Sequence, residues 1–293
     1  MDQTSFQGLA SAPRGAGSVG ESRQYGIKVN PMFSPTSLIS CNGRDYCLDG
    51  QAARQPVPFA MPRKVDAAIH RPSTLEYWRS TPATDDGMLD NLSKLSPADL
   101  AGSTAFLASL RANSKAHPPS RHLRRVVDCG AGIGRVTLGF LSNVSDTVDI
   151  VEPVDKFTAE IELGDAFREL RQSKRLGKIY KHGVEAFEPE PATYDLIWNQ
   201  WCLLYLKDTE LVRYLQRCKA GLTDGGWLVV KENVITDKGR TDMYDEVDSS
   251  VTRTDRKYRS LFGQAGLKLV ASETQTDWPD ELYPVVMYAL QPL

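Results

Sequence analysis

Three glycines at alternate positions lie in the segment 126–135, which reads VVDCGAGIGR. Glycine permits backbone angles and a close ligand approach that any Cβ would block. A helix that begins beyond such a turn presents unpaired N–H groups to an anion. A pyrophosphate-binding turn would place its third glycine one residue later, as G-x-G-x-x-G. The spacing here, with Asp128 before the turn, favours a ligand that carries a carboxylate and an ammonium group. Arg135 is predicted to pair with that carboxylate, and a purely structural turn is the alternative.

A second acidic position follows the next predicted strand. Glu152 lies twenty residues beyond Gly132, at the end of the run VDIVE. At that place a carboxylate can accept hydrogen bonds from both hydroxyls of a ribose, although a solvated glutamate at a strand end is the simpler alternative. The two features together predict a nucleoside ligand, and the glycine spacing favours S-adenosylmethionine.

The elements that must position these residues alternate between strand and helix from Arg124 onward. Such alternation is typical of an α/β fold with a mainly parallel sheet covered by helices on both faces. The final two strands are joined by a loop without a helical pattern, so the last strand is predicted to be antiparallel. The predicted fold is a class I methyltransferase, Rossmann-like, with seven strands and an N-terminal helical cap. The predicted strands are Arg124–Asp128, Thr147–Val151, Lys178–Lys181, Tyr194–Trp198, Trp227–Lys231, Leu267–Glu273 and Tyr283–Leu290.

The chain divides near residue 66. Residues 1–66 are rich in Gly, Ser, Pro, Gln and Arg and are predicted to be a disordered arm, because they can bury little apolar area. Residues 67–293 are predicted to form the catalytic domain, with its cap at about 72–117. A capping box at Ser73 predicts the start of the first cap helix, and Ser96-Pro97 predicts the start of the second. Asp155–Leu170 and Asp208–Lys219 are predicted helices of the domain.

Composition excludes several classes of protein. The formal net charge of −2 gives no basic excess for a nucleic-acid backbone. No apolar run approaches the ~18 residues that span a bilayer, and the first residues lack the apolar core of a secretory signal. The five cysteines are scattered and lack metal-type spacing. We therefore expect reduced thiols, no metal site, and a cytoplasmic or nuclear location.

Four further segments are predicted to lie near the carboxyl ends of later strands, where open α/β sheets bind ligands. They are 183–185 (GVE), 198–201 (WNQW), 231–233 (KEN) and 245–250 (DEVDSS). With these segments the chain resembles the eukaryotic α-N-terminal protein methyltransferases, which methylate Xaa-Pro-Lys/Arg N-termini. The similarity runs from about Leu75 to Leu290. Its motifs are YW at 77–78, DGML at 86–89, DCGAGIGR at 128–135, IWNQW at 197–201 and DSSV at 248–251.

The resemblance implies a role for each matching position. Contacts to S-adenosylmethionine are implied for Trp78, Met88, Gly130, Gly132, Arg135, Glu152, Pro153, Val154, Val184, Glu185 and Gln200. Substrate contacts are implied for Leu89, Trp201, Asp245 and Ser250, with Trp201 as the wall of the pocket and Asp245 facing the basic third side chain. Asn233 and Asp248 would hold the amino nitrogen, and Tyr205 completes the catalytic set.

The chemistry of methyl transfer agrees with these roles. Methyl transfer needs a lone pair on nitrogen, and an N-terminal amine with a pKa of about 7.7–8.0 is largely protonated at neutral pH. Asp248 is the predicted acceptor of that proton, with a turn-capping acid as the alternative. Trp201 suits a cationic amine by cation–π attraction, unless it is a core residue. Asp245 and Glu246 suit a basic side chain, unless they form a solvated loop.

One position departs from the family. The family usually has a histidine four residues beyond the tryptophan, and this chain has Tyr205. A phenol with a pKa near 10 is a poor base at neutral pH. Asp248 then removes the proton alone, Tyr205 relays it through water, or the amine enters deprotonated. The four histidines, His70, His117, His122 and His182, are expected to lie outside the pocket.

The predicted function is therefore transfer of methyl groups from S-adenosylmethionine to protein N-termini that begin Xaa-Pro-Lys/Arg, with protein or peptide N-termini as partners and neither nucleic acid nor membrane. A small-molecule methyltransferase on the same scaffold is the alternative, and a non-catalytic binding module ranks below it. A nicotinamide dehydrogenase ranks last.

Overall fold

The computed structural model describes residues 64–236 and 240–293. Its centre is a nine-stranded sheet with the order β3-β2-β1-β4-β5-β7-β6, in which β9 pairs with β5 and β8 pairs with β9. The strands are β1 (Leu123–Cys129), β2 (Ser145–Val151), β3 (Leu176–Tyr180), β4 (Tyr194–Gln200), β5 (Leu222–Ile235), β6 (Met243–Asp245), β7 (Ser250–Thr254), β8 (Leu267–Thr274) and β9 (Val285–Pro292).

The seven predicted strands are all present, and the last of them is antiparallel to both of its neighbours. The predicted total of seven is too low, because β6 and β7 form an additional hairpin. These strands have three and five residues, too few for their alternation to be visible in the sequence. β7 pairs in parallel with the end of β5, which brings the hairpin to the carboxyl edge of the sheet.

Helices cover both faces of the sheet. They are α1 (Arg71–Ser80), α2 (Asp85–Met88), α3 (Ser96–Ala112), α4 (Ser142–Val144), α5 (Asp155–Leu163), α6 (Arg168–Gln172), α7 (Asp208–Gly221) and α8 (Asp255–Gln264). A π-helical segment, Thr137–Leu141, leads directly into α4. Within the described residues, no helix has the length and apolar character that crossing a bilayer requires.

Two apolar cores lie on opposite faces of the sheet, since successive strand side chains point to opposite sides. Val127 and Ile197 pack with Tyr214 and Phe262 from α7 and α8. On the other face, Leu196 and Trp198 pack with Phe106 from α3, Phe140 from the π-helical segment and Ile161 from α5. The strands β1 and β4 are therefore buried on both sides, as their continuous apolar runs suggest.

Two local predictions for the helices are wrong. No side chain caps α1, which begins at Arg71 with Pro72 in its first turn, so the capping box at Ser73 is not formed. The Ser73 hydroxyl lies 2.9 Å from Nδ1 of His70, which competes with the capping contact. The predicted helix Asp155–Leu170 is broken at Gly164, whose ψ of 147° is extended. α3 begins at Ser96 with proline in its first turn, as predicted.

The predicted arm, residues 1–66, lies outside the described residues except for its last three positions. Those three belong to the segment 64–70, which is anchored on the domain. The Asp66 carboxylate accepts a hydrogen bond from the backbone N–H of Asp208 at the start of α7 (2.8 Å). The backbone N–H of His70 donates to the Ser249 hydroxyl (2.8 Å).

Candidate active site

The glycine turn after β1 has the backbone geometry that its sequence predicts. Gly130, Gly132 and Gly134 have φ values of +70°, +57° and +81°, a region that residues with a side chain rarely adopt. A Cβ at Gly130 would come within 2.4 Å of Cβ of Cys202, and one at Gly134 within 2.3 Å of the Phe167 ring. Glycine is therefore required both for the turn and for the close packing of the elements around it.

A cavity of about 350 Å³ opens beside this turn, at the carboxyl ends of β1, β2 and β4, and α1 and α2 form part of its wall. All eleven positions predicted to contact the cofactor line it, namely Trp78, Met88, Gly130, Gly132, Arg135, Glu152, Pro153, Val154, Val184, Glu185 and Gln200. Trp201 and Tyr205 line it as well. Its volume falls in the range of small-molecule sites, and both the glycine backbone and the Glu152 carboxylate line it.

Glu152 is held by two backbone donors at the edge of the cavity. One carboxylate oxygen accepts from the N–H of Gly132 and the other from the N–H of Val154, both at 2.8 Å. Burial raises the pKa of Glu152 to about 7, although the two hydrogen bonds act in the opposite direction. The two backbone hydrogen bonds fix the side chain in place and favour its ionised form, which is the form that accepts hydrogen bonds from hydroxyl groups.

A buried polar cluster supports Arg135 and Gln200, two further residues of the cavity wall. Asp99 of α3 lies 2.7 Å from Nη1 of Arg135 and 2.6 Å from Nζ of Lys231, and it accepts from the Gln200 amide at 2.9 Å. Burial would raise the pKa of Asp99, but the charges and hydrogen bonds of these partners outweigh it and lower the pKa. Two cations thus share one carboxylate, and Arg135 and Gln200 are held at the cavity wall where an aminocarboxylate end would lie.

Val184 and Glu185 line the end of the cavity that follows β3. Arg71 of α1 forms ion pairs with Glu185 (3.4 Å) and with Glu210 (2.9 Å). These ion pairs hold the N-terminal helix α1 against this end of the cavity. His182 also lines the cavity, so the expectation that every histidine lies outside the pocket is wrong. The carboxyl end of β3 lies beside that of β2, an adjacency that the sequence order alone did not reveal.

On the substrate side, Trp201 forms part of the cavity wall in an unusual backbone conformation. Its φ of +51° lies in the left-handed region, which costs a residue with a side chain about 1–3 kcal/mol and is common at functional sites. Its indole N–H donates to Oδ1 of Asn233 (3.1 Å). The ring lies 6.2 Å from that of Trp278 and 5.8 Å from the Arg135 guanidinium. The indole therefore forms part of the cavity wall and lies beside the positively charged guanidinium of Arg135.

Asp248 lies immediately behind this wall. Its two carboxylate oxygens accept from the Tyr205 hydroxyl (3.1 Å) and from the Ser250 hydroxyl (2.6 Å). Burial raises the pKa of Tyr205 well above its usual value, and the nearby Asp248 charge raises it further. The raised pKa and the hydrogen bond to Asp248 both favour Tyr205 as a neutral donor over Tyr205 as a base.

The remaining substrate-side predictions fall into three groups. The first group is buried behind the side chains that line the cavity and consists of Asp248, Asn233 and Ser250. Asp248 contacts Tyr205 and Asn233 contacts Trp201, and both of these partners line the cavity. Asp245 is partly exposed on β6, opposite Ser250 in the hairpin. Leu89 does not line the cavity. It is 1% exposed and packs with Leu95 and Leu282 beneath Met88 and Trp201.

Sequence reasoning did not find the groups that hold these residues. Asp99 was missed because its partners lie 36, 101 and 132 positions further along the chain, and only the packing of α3 against the ends of several strands brings them together. Glu232 was included only as part of the segment 231–233, yet it accepts from two backbone N–H groups of the loop that carries Trp201. The one signal that the sequence offers for Lys231 and Glu232 is their charge, because charged residues within an otherwise apolar strand are rarely buried without a partner.

The sheet order, the antiparallel last strand and the cavity at the glycine turn, lined by the Glu152 carboxylate, define a class I S-adenosylmethionine-dependent methyltransferase. Residues 66–291 match the family described as AdoMet dependent proline di-methyltransferase. The chain belongs to that family, and S-adenosylmethionine is its cofactor.

Relatives with curated names agree with this family. The chain is 41% identical over 218 residues to N-terminal Xaa-Pro-Lys N-methyltransferase 1-B of Xenopus laevis, which covers 73% of this chain and 92% of the relative. It is 39% identical over 220 residues to alpha N-terminal protein methyltransferase 1 of Schizosaccharomyces pombe, covering 74% and 94%. Among solved structures, a SAM-dependent methyltransferase from Leishmania major is 37% identical with a TM-score of 0.65, covering 75% and 82%.

Proposed function

We propose that this enzyme transfers methyl groups from S-adenosylmethionine to the α-amino group of proteins that begin Xaa-Pro-Lys/Arg. The observation that carries the proposal is the buried Asp248 carboxylate, which accepts a hydrogen bond from Tyr205, a residue that lines the cofactor cavity. Trp201 lines the same cavity and donates its indole N–H to Asn233. An amine bound against Tyr205 would be separated from the Asp248 carboxylate by one side chain. The names of the relatives support the same substrate class.

The residues act on the amine before transfer. Bound S-adenosylmethionine supplies an electrophilic methyl group on its sulfonium. Asp248 accepts the ammonium proton, which frees the nitrogen lone pair to form the new N–C bond as the S–C bond breaks. Tyr205 and Ser250 hold the carboxylate in one orientation. Trp201 excludes water, and its ring face stabilises the positive charge that develops on the nitrogen as the N–C bond forms.

Partly exposed Asp245 and exposed Glu246 lie at the turn of the hairpin and provide negative charge for a basic third residue. The substrate is then a protein N-terminus from which the initiator methionine has been removed, and the near-neutral net charge of the chain offers no general attraction for nucleic acid. The thiols of Cys129, Cys202 and Cys218 are free, which supports action in a reducing compartment, the cytoplasm or the nucleus.

The direct test uses labelled S-adenosylmethionine and two hexapeptides that begin Ser-Pro-Lys, one with a free and one with an acetylated α-amino group. Label is expected on the free peptide alone, at the N-terminal residue by fragmentation. Equal labelling of both peptides would place the reaction on a side chain and refute the proposal. Cofactor binding without labelling of any peptide would favour a small-molecule substrate.

The departure from the family at Tyr205 gives a first mutational prediction. Replacing Tyr205 with Phe removes the hydrogen bond to Asp248 and is expected to lower kcat by about 3–30-fold, since one positioning hydrogen bond contributes about 0.5–2 kcal/mol. Replacing Tyr205 with His, the usual family residue, is expected to retain more activity than Phe. Steady-state kinetics with the Ser-Pro-Lys peptide measures both variants. A Phe variant with full activity would remove Tyr205 from the mechanism.

The pKa of Glu152 gives a prediction for cofactor binding. Ribose hydroxyls donate to the ionised carboxylate, so binding favours deprotonation of a group whose pKa in the free enzyme is about 7. By linkage, the Kd for S-adenosylhomocysteine is expected to be about tenfold higher at pH 6 than at pH 8. Calorimetry over this range measures it, and proton release on binding should appear as a dependence on buffer ionisation enthalpy.

Two variants separate Glu152 from other groups at the cavity. Glu152→Gln is expected to bind weakly with a Kd that changes little with pH. His182→Gln is expected to keep the wild-type slope, because Nδ1 of His182 contacts the Gly183 carbonyl, whereas the Glu152 carboxylate accepts from Gly132 and Val154. A slope that disappears in His182→Gln and persists in Glu152→Gln would assign the titration to the histidine.

A further inference from the structure

The loop that carries Trp201 and Tyr205 follows β4 and is held from both sides. This loop, residues 201–206, is called the Trp201 turn below. Its first peptide N–H, at Trp201, donates to the backbone carbonyl of Lys231 on β5 (3.1 Å). Trp201 itself has the left-handed φ of +51°. A conformation of this kind persists only where the surrounding structure determines it.

Glu232 supplies the contacts on one side of the turn. Its Oε1 accepts from the backbone N–H of Cys202 at 3.0 Å and of Leu203 at 2.8 Å. The side chain is fully buried. A single buried oxygen therefore satisfies two consecutive donors directly after the left-handed residue, and without it both N–H groups would be desolvated and unpaired.

Arg253 of β7 supplies the contacts on the other side. Its guanidinium donates to the backbone carbonyls of Leu203 (3.2 Å) and Leu206, and it is also paired with Asp208 at 3.0 Å. The Glu232 carboxyl group therefore accepts from two N–H groups of the turn, and the Arg253 guanidinium donates to two of its carbonyl groups. Within the described residues, neither Glu232 nor Arg253 lines the cavity.

Three groups of the site depend on where this turn lies. The Trp201 indole reaches Asn233, the Tyr205 hydroxyl reaches Asp248, and Cys202 packs against Gly130 so closely that a Cβ there would be 2.4 Å away. A shift of the turn would move the wall of the substrate pocket and the donor to Asp248 together. Displacements of about 1 Å can reduce a rate by about 10²-fold.

We propose that Glu232 is a positioning residue for methyl transfer, which acts by fixing the Trp201 turn through its two backbone hydrogen bonds. The proposal rests on the proposed function for its kinetic consequence, but its structural content can be tested separately. What matters in Glu232 is an acceptor oxygen in this place, and its negative charge is dispensable.

The environment of Glu232 supports this distinction. Burial raises the pKa of Glu232 to about 8, against the opposing effects of the Leu203 N–H and the Arg253 charge. At neutral pH the side chain is thus mostly the neutral acid. Its second oxygen, Oε2, is buried and has no hydrogen-bond partner within the part of the chain that the structure describes. Glutamine has the same shape and keeps the one oxygen that the turn uses.

The test compares Glu232→Gln with Glu232→Met, which has a similar length but lacks the acceptor. Glu232→Gln is expected to keep kcat within about threefold of wild type, and Glu232→Met is expected to lose about 10–100-fold in kcat. The peptide KM and the Kd for S-adenosylhomocysteine should change much less than kcat. Amide hydrogen exchange at Cys202 and Leu203 is expected to accelerate in Glu232→Met and to remain slow in Glu232→Gln.

Asp195→Met is the matched control. Asp195 is also buried and accepts a backbone N–H, that of Arg124 at 2.7 Å, but it lies at the opposite end of β4. This variant is expected to lower Tm without lowering kcat or exposing the two amides. If Glu232→Met melts below the assay temperature, Arg253→Lys tests the turn from the carbonyl side, since lysine lacks the fork.

Equal losses in Glu232→Gln and Glu232→Met would show that the charge matters and would overturn the proposal. Unchanged amide exchange and activity in Glu232→Met would show that the turn does not need this residue. If the wild-type enzyme methylates no Xaa-Pro-Lys peptide, the proposed function fails, and the exchange measurement still decides the role of Glu232.

Discussion

Replacing Asp248 with Asn is expected to lower kcat on a Ser-Pro-Lys peptide by about 10²–10⁴-fold, the usual contribution of a positioned base. The amide keeps the shape and one acceptor for Tyr205 and Ser250, but it cannot take a proton. Asp248 does not line the cofactor cavity, so the Kd for S-adenosylhomocysteine should stay close to the wild-type value. Single-turnover kinetics and calorimetry measure the two quantities.

The pH dependence gives this prediction a second readout. An N-terminal amine has a pKa of about 7.7–8.0, so at pH 9 most of the substrate is already neutral and needs no base. The deficit of Asp248→Asn is therefore expected to shrink as pH rises from 7 to 9. Asp245→Asn is the control on the same hairpin, and it should raise the KM for the peptide with little change in kcat. A deficit that is independent of pH would mean that Asp248 orients the amine without accepting its proton.

Replacing Asp99 with Ala is expected to lower the free energy of unfolding by about 3–5 kcal/mol, the cost of removing one partner of a buried ion pair. Lys231 and Arg135 would both lose their shared carboxylate. Lys231 is fully buried and would have to give up its proton or draw water into the core. Because α3 is attached to the sheet through this cluster, cofactor affinity should fall as well. Chemical denaturation and calorimetry measure the two effects.

Two further variants test the electrostatic origin of this loss. Asp99→Leu combined with Lys231→Met removes both members of the pair, and it is expected to be more stable than Asp99→Ala because paired charges are often replaceable by apolar groups. Asp165→Ala removes the exposed ion pair with Arg168 and is expected to leave Tm nearly unchanged. An Asp99→Ala enzyme that unfolds at the wild-type denaturant concentration would contradict the role of Asp99.

The cofactor half of the site could be predicted from the sequence because its signals are local. Gly130, Gly132 and Gly134 fall within five residues, and each requirement for glycine arises from the turn itself or from its nearest packing. Glu152 follows at the end of the adjacent strand, since parallel strands connected by one helix end at the same edge. Even the antiparallel last strand follows from the length of one loop.

The substrate half depended on the resemblance to a family, because its residues come from separate elements. Asp248 lies in the turn before β7, and Ser250 is the first residue of that five-residue strand. Trp201 follows β4, and Asn233 belongs to β5. The Trp201–Asn233 and Tyr205–Asp248 hydrogen bonds join residues 32 and 43 positions apart, and they form only when these elements pack together. Leu89 illustrates the limit, since its motif matches the family but its side chain is buried beneath Met88 and Trp201.

By itself the sequence determined the fold class, the glycine turn and the cofactor carboxylate, because these depend on periodicity and spacing within a few dozen residues. Only the tertiary structure decided how Asp99, Lys231 and Arg135 share charge, that His182 reaches the cavity, and that Glu232 fixes the Trp201 turn. Such hydrogen bonds and ion pairs join residues 29 to 132 positions apart within a low-dielectric interior. In the interior, the packing of whole helices and strands determines which polar groups form hydrogen bonds and ion pairs, and local conformational preferences do not.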